Sequence, residues 1–186
     1  MQSPDRREFL KTLGAAALAA SAPAALMAQT KPKVRFGVDM FSLGAQNWTP
    51  FQQLDFAKKW NLDMVHFSEV RFLGSTKWQE ALAPDNLKKV RDKADEYKID
   101  LEIGMRSLCP TSSDFKRAQD ADPTLGTADE QITRMIAAAK ILRSPIIRCV
   151  LGTQADRQPP GIVSHQDAFI RVMKANRSKL LDAEIK

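Results

Sequence analysis

The sequence predicts an α/β protein of the (β/α)-barrel type with four βα units, half of the eight in a closed barrel. Three observations point there. Short apolar runs alternate with longer helical periods four times in succession, which implies right-handed βαβ crossovers and a parallel sheet. No G-x-G-x-x-G or Walker pattern follows any of these runs, which argues against a dinucleotide or nucleotide fold. Long connections follow the runs, where a barrel keeps its chemistry.

In chain order, Val34–Met40 reads as the first strand. Thr49-Pro50 supplies an N-cap with proline at the first helical position, and Phe51–Trp60 continues as a helix. Met64–Ser68 is the second strand, and Asp85–Lys98 a charged amphipathic helix. Leu101–Met105 is the third strand, and Thr127-Ala128-Asp129-Glu130 is a capping box opening a helix to Leu142. Ser144-Pro145 ends that helix, Ile146–Leu151 is the fourth strand, and a last helix runs from about Ser164 to Asp182. The long connections are Phe41–Trp48, Glu69–Ala83, Arg106–Gly126 and Gly152–Val163.

Residues 1–28 read as a segment apart from the fold. Arg6-Arg7-Glu8-Phe9-Leu10-Lys11 precedes an uncharged stretch, Thr12–Thr30, rich in Ala. A basic start, an apolar middle and small residues before a polar stretch form a bacterial export signal. The Arg6-Arg7 pair followed by x-Phe9-Leu10-Lys11 resembles the twin-arginine type, with Asp5 where Ser or Thr is usual. Cleavage fits either Ala22-Pro23-Ala24 or Ala28. The competing reading is an uncleaved anchor, disfavoured by weakly apolar Ala and by Pro23. A twin-arginine signal implies folding in the cytoplasm, the Tat machinery as a partner, and a periplasmic or otherwise exported protein.

Composition excludes several classes. The 186 residues carry 28 Lys+Arg against 22 Asp+Glu, a net charge of +6, with 2 Cys and 2 His. That length supports a real core, so a disulfide-stapled miniprotein is excluded, and so few separated Cys and His make no structural zinc site. The basic residues are scattered among acids, as in Lys88-Lys89-Val90-Arg91-Asp92-Lys93, which reads as solvated helix surface and excludes a nucleic-acid groove.

Strand parity maps candidate site residues. If Phe36, Val38, Val65, Phe67, Leu101, Ile103, Ile147 and Cys149 face the helices, the other parity is Arg35, Asp39, His66, Ser68, Glu102 and Arg148. Four strands thus aim polar or ionisable groups inward. Arg35, Glu102 and Arg148 also suit a paired structural layer, for instance Glu102 with Arg148. Asp39 and Ser68 end their strands, where barrel enzymes bind substrate, and Glu69 follows directly. His66 suits either a polar pocket or a satisfied core position, and His165 a surface or capping role. Cys109 and Cys149 read as small core residues or a bridge, and Trp48, Trp60 and Trp78 as core packing or sugar-stacking rings.

Taken together, Val65-His66-Phe67-Ser68-Glu69, Leu101-Glu102-Ile103-Gly104-Met105 and Ser144-Pro145-Ile146-Ile147-Arg148-Cys149-Val150-Leu151-Gly152 resemble the xylose isomerase-like TIM barrels, and among them exported sugar phosphate isomerase/epimerase proteins. The likeness runs from about Val34 to Lys186, and the domain, residues 29–186, corresponds to the family's N-terminal half. It implies an eight-stranded barrel, a sugar or other polyhydroxy substrate, a divalent Mn, Mg or Zn ion, and two carboxylates transferring a proton through a cis-enediolate. The family's metal ligands lie at the ends of strands five to eight, so the resemblance assigns no metal ligand and no catalytic residue here. The substrate contacts expected from strand parity and strand-end position are Asp39, His66, Ser68, Glu69, Glu102 and Arg148. Two readings follow: a half of a metal-dependent isomerase or epimerase that is inactive alone, or a non-catalytic half-barrel module that self-associates through its open sheet edge.

Overall fold

The computed structural model describes residues 34–159 and 161–186; the expected signal and its twin-arginine motif lie outside the described residues. The helices start where the sequence supplies caps. The Thr49 hydroxyl accepts from Gln52 N, and the Gln52 side chain returns to Thr49 N, opening α1 (Pro50–Lys59). The same reciprocal pair, Thr127 with Glu130, opens α5 (Ala128–Leu142). Each pair satisfies amides that the first helical turn leaves without partners.

The remaining elements follow the expected order. The first strand, β1 (Gly37–Asp39), runs into a 3₁₀ helix, Met40–Gln46, that precedes α1. The second, β2 (Met64–Phe67), is followed by a 3₁₀ turn, Val70–Leu73, then short α2 (Trp78–Ala81) and α3 (Pro84–Tyr97). Between β3 (Asp100–Met105) and α5 lie α4 (Ser113–Ala121) and a 3₁₀ turn, Pro123–Leu125. Finally β4 (Ile147–Cys149) leads through a 3₁₀ turn, Gln154–Arg157, into α6 (Val163–Asp182). The four connections expected to be plain loops thus all carry helical turns. Most are too short for a full amphipathic period, while α4 is the exception, nine residues capped by Ser112.

All four strands are parallel, in the order β1-β2-β3-β4. The edge strands β1 and β4 are shorter than the sequence suggests, three residues each. Phe36, expected to face the helices, lies just before β1 and is 65% exposed. The central strands behave as expected: Val65, Phe67, Leu101 and Ile103 are sealed in one core with Leu54 of α1, Leu87 and Val90 of α3, and Met135, Ala139 and Leu142 of α5. Each fully buried side chain of this size contributes roughly 1.5–3 kcal/mol.

Where α3 and α5 end, a buried cation joins them. Arg91 donates to Leu142 O at 3.1 Å and Ile99 O at 3.0 Å, and pairs with Asp95 at 2.7 Å. One guanidinium therefore satisfies carbonyls from two chain segments beside the start of β3, which offsets the cost of burying it.

The outer flank is different. Only Ala168 and Asn176 of the 20-residue α6 are buried, while Ile170 and Leu181 are exposed. On the outer edge of β4, Lys186 N donates to Pro145 O at 3.0 Å and Ile147 N donates to Lys186 O at 2.9 Å. This is the slanted pattern of a parallel ladder, with Lys186 laid alongside β4.

Gly104 in β3 is where the sheet is tightest. A Cβ there would lie 2.7 Å from the Ser68 carbonyl oxygen and 3.1 Å from that of Arg148. Both neighbours are backbone and cannot swing away. Gly104→Ala is expected to destabilise the chain by about 1–3 kcal/mol in urea denaturation, the usual cost of overpacking; an unchanged midpoint would show that the strands separate freely there.

Candidate functional site

The strand register assembles the candidate residues in rows. Asp39, His66 and Glu102 are aligned across β1, β2 and β3, and Gly104 is aligned with Arg148 across β3 and β4. Aligned residues of a parallel sheet project to the same side. That side is opposite the helix-packed residues Val65, Phe67, Leu101 and Ile103.

Within the first row His66 is buried, and its Nδ1 lies 3.3 Å from Glu102 Oε2. The separation is that of an ion pair, but neither ring nitrogen meets hydrogen-bond geometry with any described residue. Ser68, one row toward the C-terminal ends of the strands, is fully buried, and its Oγ also lacks a partner. Orphaned buried polar atoms cost free energy, so three on one face of one strand mark where an incoming polar group is best received.

The other expected residues are placed less uniformly. The Asp39 carboxylate accepts from Phe41 N at 2.8 Å and caps the following 3₁₀ helix, so half of its capacity is structural. Glu69 accepts from Arg71 Nε at 2.8 Å. The Arg148 side chain is exposed and has no hydrogen bond or ion pair among the described residues. The suggested Glu102–Arg148 pair does not form: the register sets Arg148 beside Gly104, one row beyond Glu102, and Glu102 meets His66 instead. Arg35 lies at the other end of the sheet, 2.5 Å from Asp100, in an exposed pair.

One further expectation is corrected, and the two cysteines take the core alternative, not the bridge. His165 is neither a free surface residue nor a helix cap: its Nδ1 is 2.8 Å from Thr111 Oγ1, and its Nε2 is 3.7 Å from Asp156. Both thiols are free, and Cys109 is buried and donates to His165 O at 3.2 Å. The rings also divide. Trp48 packs on Phe56 with centroids 5.4 Å apart, Trp78 lies under Arg134, and Trp60 is exposed beside Lys59.

Sequence reasoning missed Asp156. It sits at the strand C-terminal ends, buried, and accepts from Ser113 N at 2.6 Å and Thr153 N at 2.7 Å, with both hydroxyls adding bonds. It thereby ties the connection after β4 to the start of α4. Burial alone would raise its carboxyl pKa, but the two amides and two hydroxyls outweigh that and bring it down to about 2. The available signal was Thr153-x-x-Asp156, a capping box in a short turn.

An α/β chain of consecutive parallel βα units, with orphaned polar groups gathered on the face opposite its helices, is the class of protein that fold and site define. Over 82% of its length the chain is similar in fold to a TIM-barrel enzyme, a D-psicose 3-epimerase solved in the presence of D-fructose, with a TM-score of 0.55 and 12% identity. The match covers 50% of the epimerase, so the chain spans about half the length of that structure. No protein-family model and no curated protein matches the sequence.

The Asp156 carboxylate gives a pH test. Its folded pKa lies below the ordinary 3.8, so its stabilisation is complete above about pH 4 and is lost as pH falls toward 2. Asp156→Asn is expected to lower the urea midpoint clearly at pH 7 and much less at pH 2.5. An equal loss at both pH values would contradict the charged network.

Proposed function

We propose that the chain is the N-terminal half of a metal-dependent sugar isomerase or epimerase of the xylose isomerase-like TIM-barrel type, and that it is inactive alone. The observation that carries this reading is the polar face: His66, Ser68, Glu102 and Arg148 gathered on the side of the parallel sheet opposite its helices, in a fold shared with an epimerase. A sugar presents both donors and acceptors on every hydroxyl. Ser68 Oγ and the His66 ring are suited to exchange hydrogen bonds with such hydroxyls, Glu102 to accept one, and Arg148 to donate to a carbonyl or hydroxyl oxygen.

The reaction proposed is proton removal from carbon and its return through a cis-enediolate, with two carboxylates as base and acid. A divalent metal would polarise the substrate's oxygens. The residues described here do not fit such an ion. Among them no three His, Cys, Asp or Glu side chains converge, and the carboxylates of Asp39 and Glu69 are engaged by Phe41 N and Arg71. No step is therefore assigned through a metal on this chain, whose own part is to bind and orient the sugar. Export by the twin-arginine route, after folding in the cytoplasm, completes the reading.

A second reading, a binding or assembly module that pairs with another copy, is favoured by the exposed Ile170 and Leu181 of α6 and by the outer edge of β4, on which only Lys186 is laid among the described residues.

Three measurements test these readings. With Mn²⁺ and D-fructose in D₂O, the purified chain is expected to place no deuterium on carbon; incorporation above the buffer rate would contradict inactivity. In-frame or frameshifted translation downstream of Lys186 is expected to supply four more βα units. Its absence, together with a concentration-independent dimer in sedimentation, would favour the module. Arg6→Lys with Arg7→Lys is expected to retain the chain in the cytoplasm, and unaltered periplasmic recovery would refute the Tat signal.

A further inference from the structure

We propose that the outer face of α6 is an interface for a second copy of this chain, met antiparallel about a two-fold axis. Six residues make the face: Val163, Asp167, Ile170, Lys174, Arg177 and Leu181, spaced at intervals of four, three, four, three and four, and all exposed. That alternation is the seam of a two-stranded coiled coil, and it runs for roughly 27 Å at ~1.5 Å per residue. The inference deepens the module reading above, on which it rests, and sets the contact on α6 instead of on the edge of β4.

The orientation of α6 is fixed from its other side. Ala168 and Asn176 are buried there, and Lys179 donates to Asp129 at 2.7 Å and to Thr133 at 3.3 Å, both on α5. With 3.6 residues per turn, the seam lies across the helix from these residues. Its apolar members are left in water, Val163 at 68%, Ile170 at 45% and Leu181 at 58% exposure. Among the described residues the side chains of Asp167, Lys174 and Arg177 have no hydrogen bond or ion pair. A hollow of about 320 Å³, lined by Phe169, Met173 and Leu180 together with Ile170 and Leu181, borders the seam, so the face offers apolar area as well as charge.

The occupant follows from the order of charges along the seam. An antiparallel copy centred at the level of Val172 sets Val163 opposite Leu181 of the second copy and Asp167 opposite its Arg177. Ile170 then meets the aliphatic stem of Lys174. The two-fold axis repeats every pairing, so both Asp–Arg pairs and both Val–Leu layers form together. A parallel copy would instead set Asp167 on Asp167, Lys174 on Lys174 and Arg177 on Arg177, and like-charge repulsion disfavours that arrangement. A face whose acids and arginines are matched by its own inverted image is complementary to itself. That self-complementarity selects a second copy over a partner of different composition.

The test is sedimentation equilibrium over a concentration series on the full 186-residue chain. The unaltered chain is expected to dimerise. Asp167→Arg sets a second cation against Arg177, and Arg177→Asp sets a second anion against Asp167. Each single change is expected to raise the dissociation constant at least about tenfold. The double variant carrying both changes restores opposite charges across the seam and is expected to dimerise as tightly as the unaltered chain. Both positions are exposed, so the fold tolerates the exchange. A monomer at every concentration overturns the interface and the module reading with it. A dimer that neither single change weakens overturns the interface on α6 while leaving the module reading standing through another surface. Loss in the single variants without recovery in the double variant overturns the antiparallel pairing.

Discussion

Burial of Val65, Phe67, Leu101 and Ile103 beneath α1, α3 and α5 is the constraint from which the rest of the sheet follows. In a strand the side chains alternate, so committing one parity to the helices commits the other to the opposite face with no freedom of choice. The parallel register then sets Asp39, His66 and Glu102 in one row and Gly104 with Arg148 in another. A slip of one residue in β2 or β3 would turn His66 or Glu102 into the apolar core, at a cost far above that of any single hydrogen bond in the sheet. The apolar core thus positions the polar face.

That face is unusual for a central sheet. Among the described residues the His66 ring and Ser68 Oγ are buried but lack hydrogen bonds, and the exposed Arg148 guanidinium has no ion-pair partner. Gly104 contributes by absence: only a residue without Cβ lets the backbones of Ser68 and Arg148 approach so closely. The connections above the strands are correspondingly firm, with Asp156 drawing Ser113 and Thr153 together and Arg106 paired to Asp114. Rigid surroundings and unsatisfied polar groups form the combination that suits a preorganised binding face.

What was legible in the sequence was whatever rests on local chemistry. Thr49-Pro50 and Thr127-x-x-Glu130 announce their helices because capping is decided within four residues, and the parity of Leu101-Glu102-Ile103 follows from backbone geometry alone. What was not legible depends on register between distant strands. Glu102 meets His66 and not Arg148 because β3 pairs Gly104 with Arg148, a fact carried by no single segment. His165 was misread for the same reason, since Thr111 and Asp156 reach it from two other connections.

The two edges give the account its sharpest exposure. Backbone groups in a parallel strand point alternately to either neighbour, so Ile147 faces Lys186, Arg148 faces β3, and Cys149 faces outward again. Amide hydrogen exchange followed residue by residue on the monomeric chain tests the four-stranded, open-edged arrangement directly. The amides of Val65, Phe67 and Ile103 are expected to exchange slowest, at the rate of global unfolding, and that of Cys149 to exchange orders of magnitude faster. Equal protection at Cys149 in a monomer would mean that its edge is covered, and would contradict the account.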